Sequence, residues 1–151
     1  IPNRENHLWF QTDEVGTWYG QCAEFCGTQH AKMLIRVISE EESDFESWVA
    51  NQQLDAAEVP AALNGKETFL SLACVNCHNV DGVMLQGGFA PNLTHLMSRE
   101  TIASGAAENT PENLKKWLRD PNSIKEGCLM PNMMLTEEQI DLLVGYLTTL
   151  K

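Results

Sequence analysis

The sequence predicts a mainly α protein in which a partial β segment leads into a longer helical region, and three observations carry that reading. Before residue 40 three stretches are rich in β-branched and aromatic side chains, with Asp13, Glu14 and Gly16 as turn material between the first two. After Pro60 the apolar residues recur at helical spacing, and Thr, Pro and Gln stand where helices start. Charge divides the chain at the same place: residues 1–60 carry 3 basic and 11 acidic side chains, residues 61–151 carry 7 and 10. The expected organisation is therefore a β segment over 1–39, a helix and linker over 40–60, and a helical domain over 61–151.

Taken in order, His7 to Gln11, Thr17 to Cys22 and Met33 to Ser39 are expected as strands. Ser39 followed by three glutamates reads as an N-cap with a capping-box Glu42, and Phe45, Trp48 and Val49 then recur on a helix running to about Gln52. Gln53 to Pro60 has no periodicity and ends in proline, which marks the linker. A helix from Leu63 to about Cys77 shows Phe69, Leu70 and Ala73 on one stripe. The stretch 82–98 holds Gly87, Gly88, Pro91 and Asn92 and reads as a loop with short helical pieces. Thr110 and Pro111 open a helix through Leu114, Trp117 and Leu118 that Pro121 stops. Thr136 with Gln139 caps the last helix, which carries Ile140, Leu143, Val144 and Leu147 on one face.

Composition narrows the function. A net charge of -11 opposes nucleic acid, whose partners present a basic face, and suits a basic protein partner. No uncharged run reaches the eighteen residues of a transmembrane segment. Five cysteines fall into two close pairs, Cys22 with Cys26 and Cys74 with Cys77, each beside a histidine, and Cys128 alone. That clustering favours metal or haem chemistry over a disulfide framework.

Cys74, Val75, Asn76, Cys77 and His78 form CxxCH, the attachment sequence of a c-type haem. On a helix, cysteines three apart share a face and can each add across one vinyl group, while the next residue aims its imidazole at the iron. A zinc site would need a further Cys/His pair, and none follows. A second axial ligand is expected downstream, where Met130, Met133 and Met134 offer thioethers; Met133 and Met134 read as packing residues, His95 as a hydrogen-bonding loop histidine, and Cys128 as a buried apolar residue or a free thiol.

This half, about Ala61 to Leu150, resembles the class I cytochromes c, where Met followed by Pro before the last helix is a frequent iron ligand; here that is Met130 with Pro131. The resemblance includes Gly65 and Phe69, which would pack across Tyr146 of the last helix, Gly permitting the close crossing. It also includes Pro91 and Leu93, with the Pro91 carbonyl accepting the Nδ1 hydrogen of His78 and so fixing its tautomer. It further implies that Arg99 and Trp117 neighbour the propionates.

Upstream, Cys22, Cys26, His30 and Met33 follow a strand as CxExCxxxHxxM, with Glu24 between the cysteines. Two thiolates, an imidazole and a thioether are soft or borderline donors that suit copper. With its flanks, Gly20 to Gly27, this loop resembles the dinuclear CuA loop of cytochrome c oxidase subunit II over Ile1 to about Ser39. The resemblance implies a cupredoxin-like β-sandwich in which both sulfurs bridge two coppers, His30 and Met33 are terminal ligands, and Glu24 gives its backbone carbonyl. The family supplies one more ligand histidine on a strand well upstream of the loop, which this chain is expected to lack; His7 could substitute but matches a non-ligand position, and three strands cannot close a sandwich. The chain is expected to begin inside the copper domain, to be a processed or cut piece, and to hold haem c but little copper by itself.

Together the halves resemble the bacterial subunit II with a cytochrome c domain fused behind CuA. This implies an electron-transfer subunit of an oxidase, in which the chain alone only transfers electrons: from a donor such as a basic cytochrome c, through haem c to CuA, and on to subunit I. It also implies the periplasmic or outer face of the bacterial cytoplasmic membrane, with an anchor upstream. Two rival readings are a haem sensor with a labile methionine and a plain soluble carrier whose first 60 residues are a structural remnant.

Overall fold

In the computed structural model residues 5–151 are described; Ile1 to Arg4, at the head of the expected 1–39 segment, lie outside the described residues. Strands β1 (Gly16–Gln21) and β2 (Leu34–Ser39) pair antiparallel, with Gly16 opposite Ser39 and Gln21 opposite Leu34. Thr, Trp and Tyr on one strand and Ile, Val and Leu on the other supply the branched and aromatic side chains that fit a pleated ladder. The expected strand at His7 to Gln11 does not form: Leu8, Trp9 and Phe10 are exposed and extend no ladder. A strand needs a partner edge for its amides, and none pairs with this stretch among the described residues.

Helix α1 (Glu42–Gln52) starts later than expected. Ser39 stays the last residue of β2, its hydroxyl 2.6 Å from that of Thr12, so it is not available as a cap. Glu41 takes the cap position without a side-chain bond, and Glu42 and Asp44 in the first turn complement the helix dipole instead.

The helix expected to reach Cys77 breaks. Helix α2 (Leu63–Ser71) ends at an extended Leu72, and Ala73–Asn76 continue as a 3₁₀ turn. Thr68 and Ser71 bend their hydroxyls back to the carbonyls of Asn64 and Thr68, a local competition that weakens the α-helical ladder at this end. The consequence favours the motif, since residues i and i+3 eclipse in a 3₁₀ turn and Cys74 and Cys77 stay on one side.

One element departs from the all-helical expectation after Pro60. β3 (Thr101–Ile102) and β4 (Ala107–Glu108) form a small hairpin whose turn holds Ala103, Ser104 and Gly105 at positive φ. Helix α3 (Pro111–Arg119) is capped by the Thr110 hydroxyl on the Asn113 amide. Pro121 ends it and also opens a one-turn helix, α4 (Pro121–Ile124), capped by Asp120. Helix α5 (Glu137–Leu147) has the full capping box of Thr136 and Gln139.

The core lies where α2 crosses α5, against which α3 also packs, with Phe69, Ile140, Leu143, Leu150 and Val80 fully buried. At the crossing a Cβ on Gly65 would overlap the Leu142 carbonyl, and one turn on the Phe69 and Tyr146 rings meet with centroids 5.7 Å apart. On the surface the Arg119 guanidinium holds both oxygens of Glu137 at 2.8 and 2.6 Å and keeps that carboxyl below the usual range. A depressed folded pKa means stability present above the unfolded carboxylate value and lost as pH falls through the folded one. Glu137→Gln should therefore lower the melting temperature slightly at neutral pH, and the difference should vanish on acidification; the pair is exposed, so the effect is small.

Candidate functional site

Two clusters of chemistry-bearing side chains stand out. In the first, Cys74 and Cys77 sit on the 3₁₀ turn, and the amides of Cys77 and His78 both bond the Cys74 carbonyl, at 3.2 and 2.9 Å. His78 Nδ1 lies 2.7 Å from the Pro91 carbonyl, which leaves Nε2 for a metal. The 87–93 loop is locked over the motif: Ala90 donates to the Cys77 carbonyl at 3.0 Å, Leu93 to that of Asn79 at 2.8 Å, and a Cβ on Gly87 would meet the Cys77 carbon at 2.5 Å. Gly87 is a functional residue that the sequence reading passed over, although the Gly-Gly pair was the signal for a close backbone approach.

Leu93, Met97, Trp117, Met130 and Leu135 are half-buried against the core. This apolar set, with an imidazole oriented through its other nitrogen and two thiols on one side, fits a covalent haem. Burial raises the Cys74 thiol pKa, as expected of a group that sits in an apolar wall. The Arg99 guanidinium donates to the Asn92 carbonyl, so it braces the same loop. His95 is a loop histidine, with Nδ1 2.7 Å from the Lys151 carbonyl and Nε2 3.0 Å from that of Leu54. Met133 is half-buried and Met134 is exposed at positive φ, so Met134 is not a packing residue; its amide bonds the Asn132 side chain.

The second cluster follows from strand register. Because Gln21 pairs with Leu34, the next pair outward is Cys22 and Met33, and the Cys22 amide bonds the Met33 carbonyl at 3.0 Å. The eleven-bond excursion between them closes on itself, with His30–Lys32 as a 3₁₀ turn. Cys22 and Cys26 sulfurs are 3.6 Å apart, Cys26 Sγ is 3.8 Å from His30 Nδ1 and 4.0 Å from Met33 Sδ, and Cys22 Sγ is 3.2 Å from the Glu24 carbonyl. The ligand atoms of Cys22, Cys26 and His30 all lie within 4.8 Å of one another. The neighbouring Cys22 thiol raises the Cys26 pKa, so two thiolates here call for a cation between them. The donor set fits copper.

Residues 62–151 match the family model described as cytochrome c, and residues 1–40 match the one described as cytochrome C oxidase subunit II, periplasmic domain. The first implies a covalent haem c and the second CuA. The chain is 38% identical to cytochrome c oxidase subunit 2 of Alkalihalophilus pseudofirmus over 100% of its own length and 44% of that protein. It is 41% identical to the subunit 2 of Bacillus sp. PS3, over 99% of this chain and 45% of the relative. Against the Bacillus subtilis protein the identity is 35%, over 89% and 39%. The chain thus spans less than half the length of these relatives. By its 62–151 match the chain belongs to the cytochrome c family, and the residues ahead of that domain are similar to the periplasmic domain of cytochrome c oxidase subunit II.

Proposed function

We propose that this chain is the electron-transfer part of a terminal haem-copper oxidase subunit, passing single electrons from a donor through haem c to CuA and on to subunit I. One observation carries the reading: an oriented histidine behind two attachment cysteines and a closed soft-ligand loop occur in one chain, in the order that the oxidase relatives match end to end. Bound haem supplies a one-electron couple, and His/Met ligation raises its potential.

The chain's own residues do the rest. Pro91 holds the His78 ring through Nδ1, and the 87–93 loop, clamped on Cys77 and Asn79, keeps that acceptor in place. Met130, half-buried ahead of α5, would hold the iron together with His78 in this reading, and a thioether bound there would exclude dioxygen. Cys22, Cys26, His30, Met33 and the Glu24 carbonyl would supply this chain's share of the ligands to a copper pair, one further family histidine being needed to complete the set. Trp117, half-buried against the core, and Arg99, which donates to the Asn92 carbonyl, would neighbour the haem propionates in this reading. The proposed place is the outer face of the cytoplasmic membrane, in line with the match to a periplasmic domain; no described helix is long and apolar enough to cross a membrane.

The test is optical and elemental analysis of the full-length subunit separated from the rest of the oxidase, with one low-spin haem c and two coppers expected; zinc in place of copper, or a high-spin haem c, would overturn the reading. The donor follows from charge. With a net charge of -11, reduction by a basic cytochrome c should slow as salt rises, because the Debye length shrinks from about 30 Å at 0.01 M to about 10 Å at 0.1 M. Glu40, Glu41 and Glu42, all exposed, carry the densest run of acid. Their reversal to Lys should flatten the salt slope; an unchanged slope would place docking elsewhere.

A further inference from the structure

The hairpin that bears the copper loop touches the helical part at points far apart in sequence. Arg36 Nη1 lies 2.8 Å from Glu100 Oε2, and its guanidinium sits over the Tyr19 ring, 5.3 Å from the centroid; Tyr19 is its register partner across the hairpin. Gln29, next to His30, donates to the Glu126 carbonyl at 2.7 Å. A Cβ on Gly105 would meet the Leu34 side chain at 3.3 Å, so the bare glycine makes room for it.

On the helical side these contacts fall on the β3–β4 hairpin, at Glu100 just ahead of β3 and at Gly105 in its turn, and on the turn around Glu126; Lys125 Nζ ties the two turns together through the Ser104 hydroxyl at 3.0 Å. The second turn runs directly into Met130, whose carbonyl accepts from Cys128 Sγ at 3.5 Å.

An exposed ion pair is worth little by itself, so Arg36 and Glu100 could not hold two free bodies together. The connector changes that balance. The Leu54 carbonyl lies 3.0 Å from His95 Nε2, the Ala56 amide donates to the Asp81 carbonyl at 3.0 Å, and Glu58 pairs with Lys66 at 2.7 Å. A short flexible linker already gives an effective concentration in the millimolar range, and one laid down on the domain along its length gives more, so weak contacts suffice.

We infer that the copper-loop hairpin is docked on the helical part by Arg36, Gln29 and Leu34, and that electrons leave the haem on its Met130 side toward His30. Arg36 and Glu100 are positioning residues, since they touch neither redox group. The direction of electron exit rests on the function proposed above; the docking does not.

Hydrogen exchange on the full-length protein tests the docking, with a photo-triggered haem-to-copper transfer measured on the same samples. Glu100→Arg lies outside the copper loop and places like charges together, which should raise amide exchange over 29–36 and 101–108 by about tenfold and slow the transfer by a similar factor. Arg36→Glu combined with Glu100→Arg should restore both, which a merely structural role would not do. Unchanged exchange in Glu100→Arg, or no recovery in the double reversal, overturns the docking. Restored exchange with an unaltered transfer rate in every variant overturns the exit side alone. Absence of haem c or copper signals in the unmodified protein would instead count against the proposed function.

Discussion

Replacing Met130 with alanine is expected to convert a low-spin haem into one that binds carbon monoxide when reduced. The turn before α5 brings Met130, half-buried, to the core's edge with Leu135 and Trp117, whereas Met134 is exposed and its backbone is fixed by Asn132. On the proposed ligation, removing the thioether would leave His78 as the iron's one side-chain ligand. The potential should fall on the order of 100 mV, well inside the range of about 0.8 V over which axial ligands act. The ring stays oriented, because the Pro91 contact is untouched. Optical titration and carbon monoxide difference spectra check both effects. An unchanged low-spin spectrum in the variant would move the ligand role to Met133.

Gly65→Ala should destabilise the helical part strongly, against the expectation from helix propensity. Alanine is the better helix former by up to about 1 kcal/mol, so an isolated α2 would gain from the change. In the fold the new Cβ overlaps the Leu142 carbonyl and comes within 2.7 Å of the Tyr146 Cβ, and a backbone carbonyl inside a helix has little room to move. Forcing the crossing apart costs about 1–3 kcal/mol beyond that gain and also loosens the Phe69–Tyr146 contact. For a domain of this size the melting temperature should drop by roughly 5–20 °C. Gly145→Ala is the control: it lies in the exposed part of α5 with nothing within 4 Å of the added carbon, and it should raise the melting temperature slightly. Equal behaviour of the two variants would mean that the crossing is not tight.

Both sites were legible because their chemistry is written at short range. CxxCH fixes two thiols and an imidazole within one turn and a residue, and in the copper loop all the soft ligands fall between the ends of one hairpin, so strand pairing alone brings Cys22 to Met33. The caps at Thr110 and Thr136 were readable for the same reason, since an N-cap bonds an amide two or three residues away.

The errors arose where a local preference met a distant partner. Ser39 is a good cap by residue type, but its hydroxyl is engaged with Thr12, 27 residues earlier. The 7–11 stretch has strand composition, but composition cannot supply the neighbouring edge that a strand requires. Helix α2 stops at Ser71 because hydroxyls within its last turns compete for backbone carbonyls, a near balance that periodicity does not reveal.

By itself, then, the sequence determined the CxxCH motif and the soft-donor loop, the mainly helical class after Pro60 and the surplus of acid, since each depends on residue type at fixed local spacing. Tertiary structure alone decided that Gly87 seats the loop on Cys77, that the linker lies on Asp81 and His95, and that Arg36 meets Glu100. It also decided that Gln29 meets Glu126, 97 positions away, and such a pairing is set by how packed elements fit together in space, which no local pattern encodes.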